Sequence, residues 1–248
     1  MDGFDHSPLA YFLVAHGSRH PANRESMLSL AKHLCAILPP SASGPVGIGA
    51  LELDATPLDQ QLVEFCRSLP PTWVQVIPIF LLPGTHVTAD LPQAVTRAQQ
   101  KLCSHYQLVL SPHLGQHPQL HRLFRPQGSM SPEAWILVGH GSKRPAGYQA
   151  IEKMARRLNM KPAYWVGEPS LAQQLQFLKQ EGIQQVGLVP YFLFPGRIVE
   201  SIAQQARDLA AELNLTMQVL APLQPSHDMA KMILDLGSLA APPLDFAC

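Results

Sequence analysis

The 248-residue sequence contains little charge and no excess of either sign. Charged residues make up 15% of the chain, and its 18 basic side chains are balanced by 18 acidic ones. A protein that binds nucleic acid or an anionic membrane through a basic surface needs a surplus of Lys and Arg, so neither partner is expected. Aromatic residues amount to 7%, which provides no stacking surface for single-stranded nucleic acid.

Cysteine and long apolar runs are also scarce. The four cysteines are Cys35, Cys66, Cys103 and Cys248. No two of them have Cys-x-x-Cys spacing, which favours unpaired thiols in a reducing compartment. The first residues are acidic rather than basic, unlike a secretory or transit peptide. The apolar runs at 74–83 and 186–195 contain proline and fall short of the roughly 20 residues that span a bilayer. We therefore expect a cytoplasmic protein without a membrane segment.

An internal repeat is the strongest feature that the sequence does contain. Residues 11–22, YFLVAHGSRHPA, match residues 135–146, WILVGHGSKRPA. Residues 74–84, VQVIPIFLLPG, match residues 186–196, VGLVPYFLFPG. The period is about half the chain, far longer than a solenoid unit, so the repeat indicates a duplicated domain. Apolar residues make up 46% of the chain, enough for each copy to bury a core.

The boundary between the copies is expected in a stretch rich in Pro, Gly and Ser at 125–132, which has no apolar periodicity. This predicts an N-terminal domain at 1–124, a linker at 125–132 and a C-terminal domain at 133–248.

Each copy alternates short apolar runs with segments of helical spacing. Strands are predicted at 11–15, 74–81, 135–139 and 186–193, and helices at 22–38, 58–68, 90–104, 146–159, 171–181 and 198–213. Pro78 and Pro190 cannot donate a ladder hydrogen bond, so their strands should lie at a sheet edge or end there. Alternating strands and helices form a parallel sheet, so the predicted class is α/β, with two tandem domains and helices on both faces of each sheet.

Two histidines of the first copy directly follow predicted strands. His16 lies in His-Gly-Ser after the first strand, and His86 lies in Pro-Gly-Thr-His-Val after the strand at 74–81. Ligands of parallel sheets bind beyond the carboxyl ends of the strands, so the two imidazoles can face one another across a cleft. Two neutral imidazoles suit divalent Fe, Co, Ni or Zn. Either histidine taken alone could equally be a solvated turn residue.

Glu52 lies in Ala-Leu-Glu-Leu-Asp, which predicts a short apolar strand. A carboxylate inside such a strand is costly unless it is paired or stands at the strand's end. That cost makes Glu52 a candidate acid or base, with a salt bridge at the sheet edge as the alternative.

The order and spacing of these motifs resemble the sirohydrochlorin chelatases of the CbiX/SirB type, which are class II chelatases. The motifs are His-Gly-Ser-Arg, the Leu-Glu-Leu segment and Val-Ile-Pro-Ile-Phe-Leu-Leu-Pro-Gly-Thr-His-Val, and the likeness extends to Leu-Gly-Gln-His-Pro at 114–118. The resemblance implies two chelatase-like domains, each with a four-stranded parallel sheet, and an active site in the cleft between them. It assigns metal binding to His16 and His86, and the family's glutamate to Glu52.

The second copy departs from this pattern. His140 keeps its place, but Ile198 stands where His86 stands in the first copy, and isoleucine cannot bind a metal. An ungapped alignment of the two copies also leaves Glu52 without a counterpart in the second copy. The second domain is therefore expected to keep the fold and to have lost the complete metal site.

Positive and polar residues in the loops around the expected cleft are assigned to substrate binding. They are Arg19, His140, Lys143, Arg144 and Arg197. Arginine pairs well with carboxylates, which the implied substrate has in number. Solvated surface charge is the alternative.

The resemblance implies insertion of Fe²⁺ or Co²⁺ into sirohydrochlorin, for siroheme or cobalamin biosynthesis, with the metal as a substrate and no tightly bound cofactor. The histidines would present the metal, and Glu52 or a histidine would accept the pyrrole protons. A non-catalytic tetrapyrrole or metal carrier is the alternative. A histidine-type phosphatase is disfavoured because Ala15 and Gly139, not Arg, precede the two His-Gly pairs. A monomer is expected, since a duplicated chain can form the cleft that a single-domain relative makes by dimerising.

Overall fold

The first sheet contains four parallel strands in the order β2-β1-β3-β4. The computed structural model describes residues 10–38, 44–70, 72–126, 131–141 and 145–239. The strands are β1 (Ala10–Ala15), β2 (Val46–Ala50), β3 (Thr72–Pro78) and β4 (Tyr106–Leu110). The connecting helices are α1 (Pro21–Ile37), α2 (Leu58–Arg67) and α3 (Leu91–Lys101). A π-helical turn, His86–Asp90, leads directly into α3.

The second sheet repeats this topology in the order β6-β5-β7-β8. Its strands are β5 (Ala134–Gly139), β6 (Lys161–Tyr164), β7 (Gln185–Pro190) and β8 (Thr216–Val219). Its helices are α4 (Pro145–Leu158), α5 (Leu171–Gln180) and α6 (Arg197–Glu212), and α7 (His227–Leu239) follows. No helix within the described ranges combines the length and apolarity needed to cross a membrane.

The two prolines end central strands rather than marking sheet edges. Strand β3 lies between β1 and β4, and Pro78 is its last residue, paired in register with Val14. The ladder with β1 continues past this proline, since the Ile79 N–H donates to the Val14 carbonyl at 2.7 Å. In the second sheet, the Tyr191 N–H donates in the same way to the Val138 carbonyl, also at 2.7 Å. A proline at the last position of a strand therefore costs no ladder hydrogen bond.

Both faces of the first sheet are covered by helices. Phe12 and Val14 of β1 pack with Leu62 of α2 and Leu91 and Ala94 of α3 in one buried cluster. The opposite face packs against α1 and α7. This two-faced burial explains why β1 is apolar at every position, since a strand buried on both faces does not alternate.

The second sheet is covered in the same way. Ile136 and Val138 of β5 pack with Leu171 and Leu175 of α5 and with Ile202 of α6. Helix α4 packs against β5 and β6. Helix α5 begins with a capping box, in which the side chains of Ser170 and Gln173 each accept a backbone N–H from the other residue.

The segments that pack together do not coincide with the two copies of the repeat. Among the described residues, one compact unit contains those through Pro118 together with those from Pro225 onward, and the other contains those between Gln119 and Gln224. The 3₁₀ turn Leu120–Phe124 packs with α4, whereas α7 packs with α1. The limits 1–124 and 133–248 stay a prediction based on the repeat, whereas the compact units describe which segments pack together. Residues 127–130 of the predicted linker lie outside the described residues.

Candidate metal centre

His16, Glu52 and His86 come together at the carboxyl edge of the first sheet. His16 directly follows β1, Glu52 lies just beyond β2, and His86 ends the loop that leaves β3. One ligand atom from each side chain lies within 4.8 Å of the other two. In the part of the chain that the structure describes, no other three His, Cys, Asp or Glu side chains meet this criterion.

The three side chains form an open arrangement. His16 Nε2 lies 4.0 Å from Glu52 Oε2, and His86 Nδ1 lies 3.6 Å from Glu52 Oε1. The imidazole rings meet edge to face with centroids 4.6 Å apart. The His16 and Glu52 side chains are both 48% exposed, and that of His86 is 34% exposed. Three nitrogen and oxygen ligands that face solvent can hold a divalent ion and leave coordination positions free for exchange.

A glycine holds His16 and Glu52 side by side. The Glu52 N–H donates to the His16 carbonyl at 2.9 Å, and the preceding Leu51 N–H donates to the Ala15 carbonyl at 2.9 Å. Gly17 has φ of +100°, and a Cβ at this position would lie 1.9 Å from the Glu52 carbonyl oxygen. Only glycine allows this backbone approach, so the His-Gly pair positions the carboxylate as well as the imidazole.

The predicted strand around Glu52 is wrong. Strand β2 ends at Ala50, the following residues form bends, and Leu53 has φ of +59°. At this point the Gln61 side chain covers the open edge of β2, accepting from the Ala50 N–H at 3.1 Å and donating to the Ala50 carbonyl at 2.9 Å. Glu52 is therefore an exposed loop carboxylate, and the cost of burying it within a strand does not apply.

Asp90 is a further residue of the site, which the sequence did not indicate. His86 Nδ1 lies 2.9 Å from Asp90 Oδ2, within the π-helical turn. A carboxylate that accepts the Nδ1–H of a histidine fixes its tautomer and leaves Nε2 unprotonated for a metal. The i, i+4 spacing of the pair is its only sequence signal, and a predicted helix beginning at 90 left His86 outside the helix.

A buried histidine anchors the loop that leads to His86. The Phe80 carbonyl accepts hydrogen bonds from the Gly115 N–H at 2.8 Å and from His113 Nδ1 at 3.0 Å. Burial lowers the pKa of His113, so the ring is neutral and can donate its single N–H to this carbonyl. Gly115 belongs to the Leu-Gly-Gln-His-Pro motif, so this motif and the preceding His113 together fix the course of the chain after β3.

The second sheet has the same backbone arrangement with different side chains. The Val166 N–H donates to the His140 carbonyl at 2.8 Å, as the Glu52 N–H does to His16. Gly141 has φ of +89°, and a Cβ there would lie 1.8 Å from the Val166 carbonyl oxygen. Val166 is therefore the structural counterpart of Glu52, and valine offers no ligand.

The residues assigned to substrate binding lie at the carboxyl edge of their own sheets wherever the structure describes them. Arg19 is exposed between β1 and α1. His140 is exposed just beyond β5, and Arg197 is the exposed first residue of α6. Lys143 and Arg144 lie outside the described residues. A role for these side chains in substrate binding stays a prediction.

The repeat and the fold correspond to a known protein family. The family model CbiX matches residues 10–127 and matches again at residues 134–236. The chain belongs to the CbiX family. Two matches along one chain confirm the predicted family, and the two parallel sheets confirm the predicted α/β architecture of two tandem domains.

Curated relatives of this CbiX-family chain include two enzymes from Priestia megaterium. A sirohydrochlorin cobaltochelatase is 27% identical over 220 residues, which cover 82% of this chain and 70% of the relative. A sirohydrochlorin ferrochelatase is 23% identical over 176 residues, which cover 65% of each chain. Their names differ in the metal, so the likeness does not choose between cobalt and iron.

A solved structure shares the fold over nearly the whole chain. The structure of SirB from Bacillus subtilis with Fe³⁺ superimposes with a TM-score of 0.79, covering 94% of this chain and 95% of that one. The two sequences are 20% identical, so this likeness concerns the fold.

Proposed function

We propose that this CbiX-family protein inserts a divalent metal ion, Fe²⁺ or Co²⁺, into sirohydrochlorin. The observation that supports the proposal most directly is the meeting of His16, Glu52 and His86 within 4.8 Å at the carboxyl edge of the first sheet. The names of the two Priestia megaterium relatives support the same substrate. With Fe²⁺ the product would serve siroheme synthesis, and with Co²⁺ it would serve cobalamin synthesis.

The two histidines would present the metal ion. Imidazole nitrogens bind both Fe²⁺ and Co²⁺, and two imidazoles with open coordination positions hold either ion loosely enough to release it. A closed site with four protein ligands would retain the metal. The half-exposed imidazole of His16 leaves room for a flat ring to approach the ion.

Glu52 would accept the protons that the macrocycle releases one at a time, and its half-exposed carboxylate would pass each of them to solvent. Insertion of one divalent ion into the ring displaces two pyrrole protons, so the charges balance when two protons leave the ring. Asp90 occupies Nδ1 of His86, and the metal would occupy its other nitrogen, so this ring has no free position for a proton. The Glu52 carboxylate lies near both imidazoles and remains available as the base.

The Glu52→Gln variant distinguishes a role of Glu52 as proton acceptor from a role as metal ligand. The amide keeps the shape of the side chain but cannot act as a base, so we expect kcat to fall at least tenfold while the affinity for Co²⁺ changes little. If Glu52 instead offsets the charge of the ion, the variant will lose metal affinity in proportion to its loss of rate.

The activity itself is tested with the purified protein, sirohydrochlorin and either Fe²⁺ or Co²⁺ under anaerobic conditions. An absorbance change faster than the spontaneous reaction, lost in His86→Ala, is the expected result. The metal with the higher kcat/KM would identify the preferred product. A carrier would bind the macrocycle or the ion without accelerating insertion, and unchanged turnover in His86→Ala would refute the assignment of the site.

A further inference from the structure

A second pair of histidines lies on the first compact unit, away from the candidate metal centre. His33 is near the end of α1, and His227 is the first residue of α7. Helix α1 starts at the edge of the sheet that holds His16. At about 1.5 Å per residue, His33 lies roughly 18 Å along the helix from Pro21. The pair is therefore separate from the centre formed by His16, Glu52 and His86.

The two rings face each other through nitrogen atoms. Nδ1 of His33 lies 3.3 Å from Nδ1 of His227, with ring centroids 5.4 Å apart and an interplanar angle of 81°. Without an ion, one ring can donate its N–H to the other ring nitrogen across this distance. A cation that both nitrogens bind would take the place of that proton.

The distance between the two nitrogens matches the distance between two ligand atoms on a tetrahedral metal ion. With metal–nitrogen distances of about 2.0–2.1 Å, two ligands at the tetrahedral angle lie about 3.3–3.4 Å apart, and two at a right angle lie about 2.8–3.0 Å apart. We propose that His33 and His227 form a second binding site for a divalent ion of tetrahedral preference, such as Zn²⁺ or Co²⁺. The proposal does not depend on the chelatase activity.

Two protein ligands make this a weak and exchangeable site. His33 is half-buried and His227 is exposed, so water can fill the remaining coordination positions. Among the described residues, no third His, Cys, Asp or Glu joins the pair at metal-binding distance. Cys35 is exposed on α1, but residues two apart on a helix point to different faces.

An ion at this position would link two helices that are distant in the chain. Helix α7 follows the second sheet in sequence but packs against α1 in the first compact unit. A ligand that binds the folded state and not the unfolded state adds its binding free energy to stability. Zn²⁺ would therefore hold the C-terminal helix on α1 and raise the Tm of this unit.

The number of Zn²⁺ ions bound per chain tests the proposal. We expect His33→Ala and His227→Ala each to bind one equivalent fewer than the wild type by isothermal titration calorimetry. His105→Ala, which removes another exposed histidine of the same unit, should bind as many ions as the wild type. Cys35→Ser should also match the wild type, because the thiol is not a ligand. Circular dichroism verifies that each variant is folded.

A thermal measurement separates this site from the candidate metal centre. In a His86→Ala background Zn²⁺ should still raise the Tm, and adding His33→Ala should abolish that shift. Equal stoichiometry in the wild type and His33→Ala, or loss of an equivalent in Cys35→Ser, would overturn the proposal. Metal insertion into sirohydrochlorin should proceed at the wild-type rate in His33→Ala, so a failure of the proposed function would be recognised independently.

Discussion

Replacing Gly17 by Ala should dismantle the candidate metal centre without touching any of its ligands. The added Cβ would lie 1.9 Å from the Glu52 carbonyl oxygen. To reach ordinary contact, that carbonyl must move away by roughly 1.5 Å. The movement breaks the hydrogen bond from the Glu52 N–H to the His16 carbonyl, which is what holds the carboxylate beside the imidazole.

The cost of this substitution follows from three contributions. A non-glycine residue in the left-handed region costs about 1–2 kcal/mol. Loss of the hydrogen bond adds about 1 kcal/mol, and relief of the contact adds a similar amount through local strain. We therefore expect the free energy of unfolding to fall by about 3–4 kcal/mol. Gly17 directly follows His16, so the same movement shifts the His16 imidazole and should lower the affinity for Co²⁺ by at least about tenfold, which corresponds to about 1.4 kcal/mol of binding free energy.

Gly141→Ala is the matched control. Gly141 has φ of +89°, and its Cβ would lie 1.8 Å from the Val166 carbonyl oxygen, so the strain is the same. The second copy has Ile198 in the place of the ligand His86, so we expect the same loss of stability with no change in Co²⁺ affinity. Urea unfolding measures the first quantity and calorimetric titration in a His33→Ala background measures the second. Equal Co²⁺ affinity in the wild type and Gly17→Ala would refute the reasoning.

Three further predictions concern single side chains. Asp90→Ala should lower Co²⁺ affinity by about 10–100-fold, because His86 loses the carboxylate that orients it, and unchanged binding would contradict this role. A hydrogen bond from Lys101 lowers the pKa of Asp59, so this carboxylate stabilises the fold at neutral pH and the stabilisation is lost as the pH falls through its lowered pKa. Asp59→Asn should therefore reduce the free energy of unfolding by about 1–3 kcal/mol at pH 7, and the difference should shrink below about pH 4; a constant difference would exclude the ion pair as its cause. Arg197→Ala should raise KM for sirohydrochlorin about tenfold with kcat unchanged if the guanidinium binds a substrate carboxylate, whereas an unaltered KM would assign Arg197 to the solvated surface.

The errors of the sequence-based predictions share one physical origin. Glu52 was expected within a strand because Leu51 and Leu53 flank it, yet β2 ends at Ala50, where the Gln61 side chain binds both backbone groups of its outer edge. Asp90 was missed because the contact that gives it a role is made within a π-helical turn, and apolar periodicity does not predict such a turn. In both cases a side-chain contact with the backbone or with another side chain overrides the local pattern.

The packing of α7 against α1 could not be predicted for a related reason. Helix α7 follows the second copy of the repeat, so a division based on the repeat assigns it to the second domain. Its apolar residues, among them Met229, Ile233 and Leu236, are buried in the first compact unit. An apolar pattern of helical spacing indicates that one face of the helix is buried, but it does not show which surface of the protein covers that face.

The sequence by itself determined the duplication, the alternation of strands and helices, and the identity of the two histidines and the glutamate that meet at the carboxyl edge of the first sheet. These follow from patterns along the chain, because parallel strands bring their ends to one edge whatever the details of packing. Only the tertiary structure decided that Asp90 joins His86, that Val166 takes the place of Glu52 in the second sheet, and that His33 meets His227. Such pairs depend on distances of a few ångströms between separate elements, which are set by how the helices pack on the sheets.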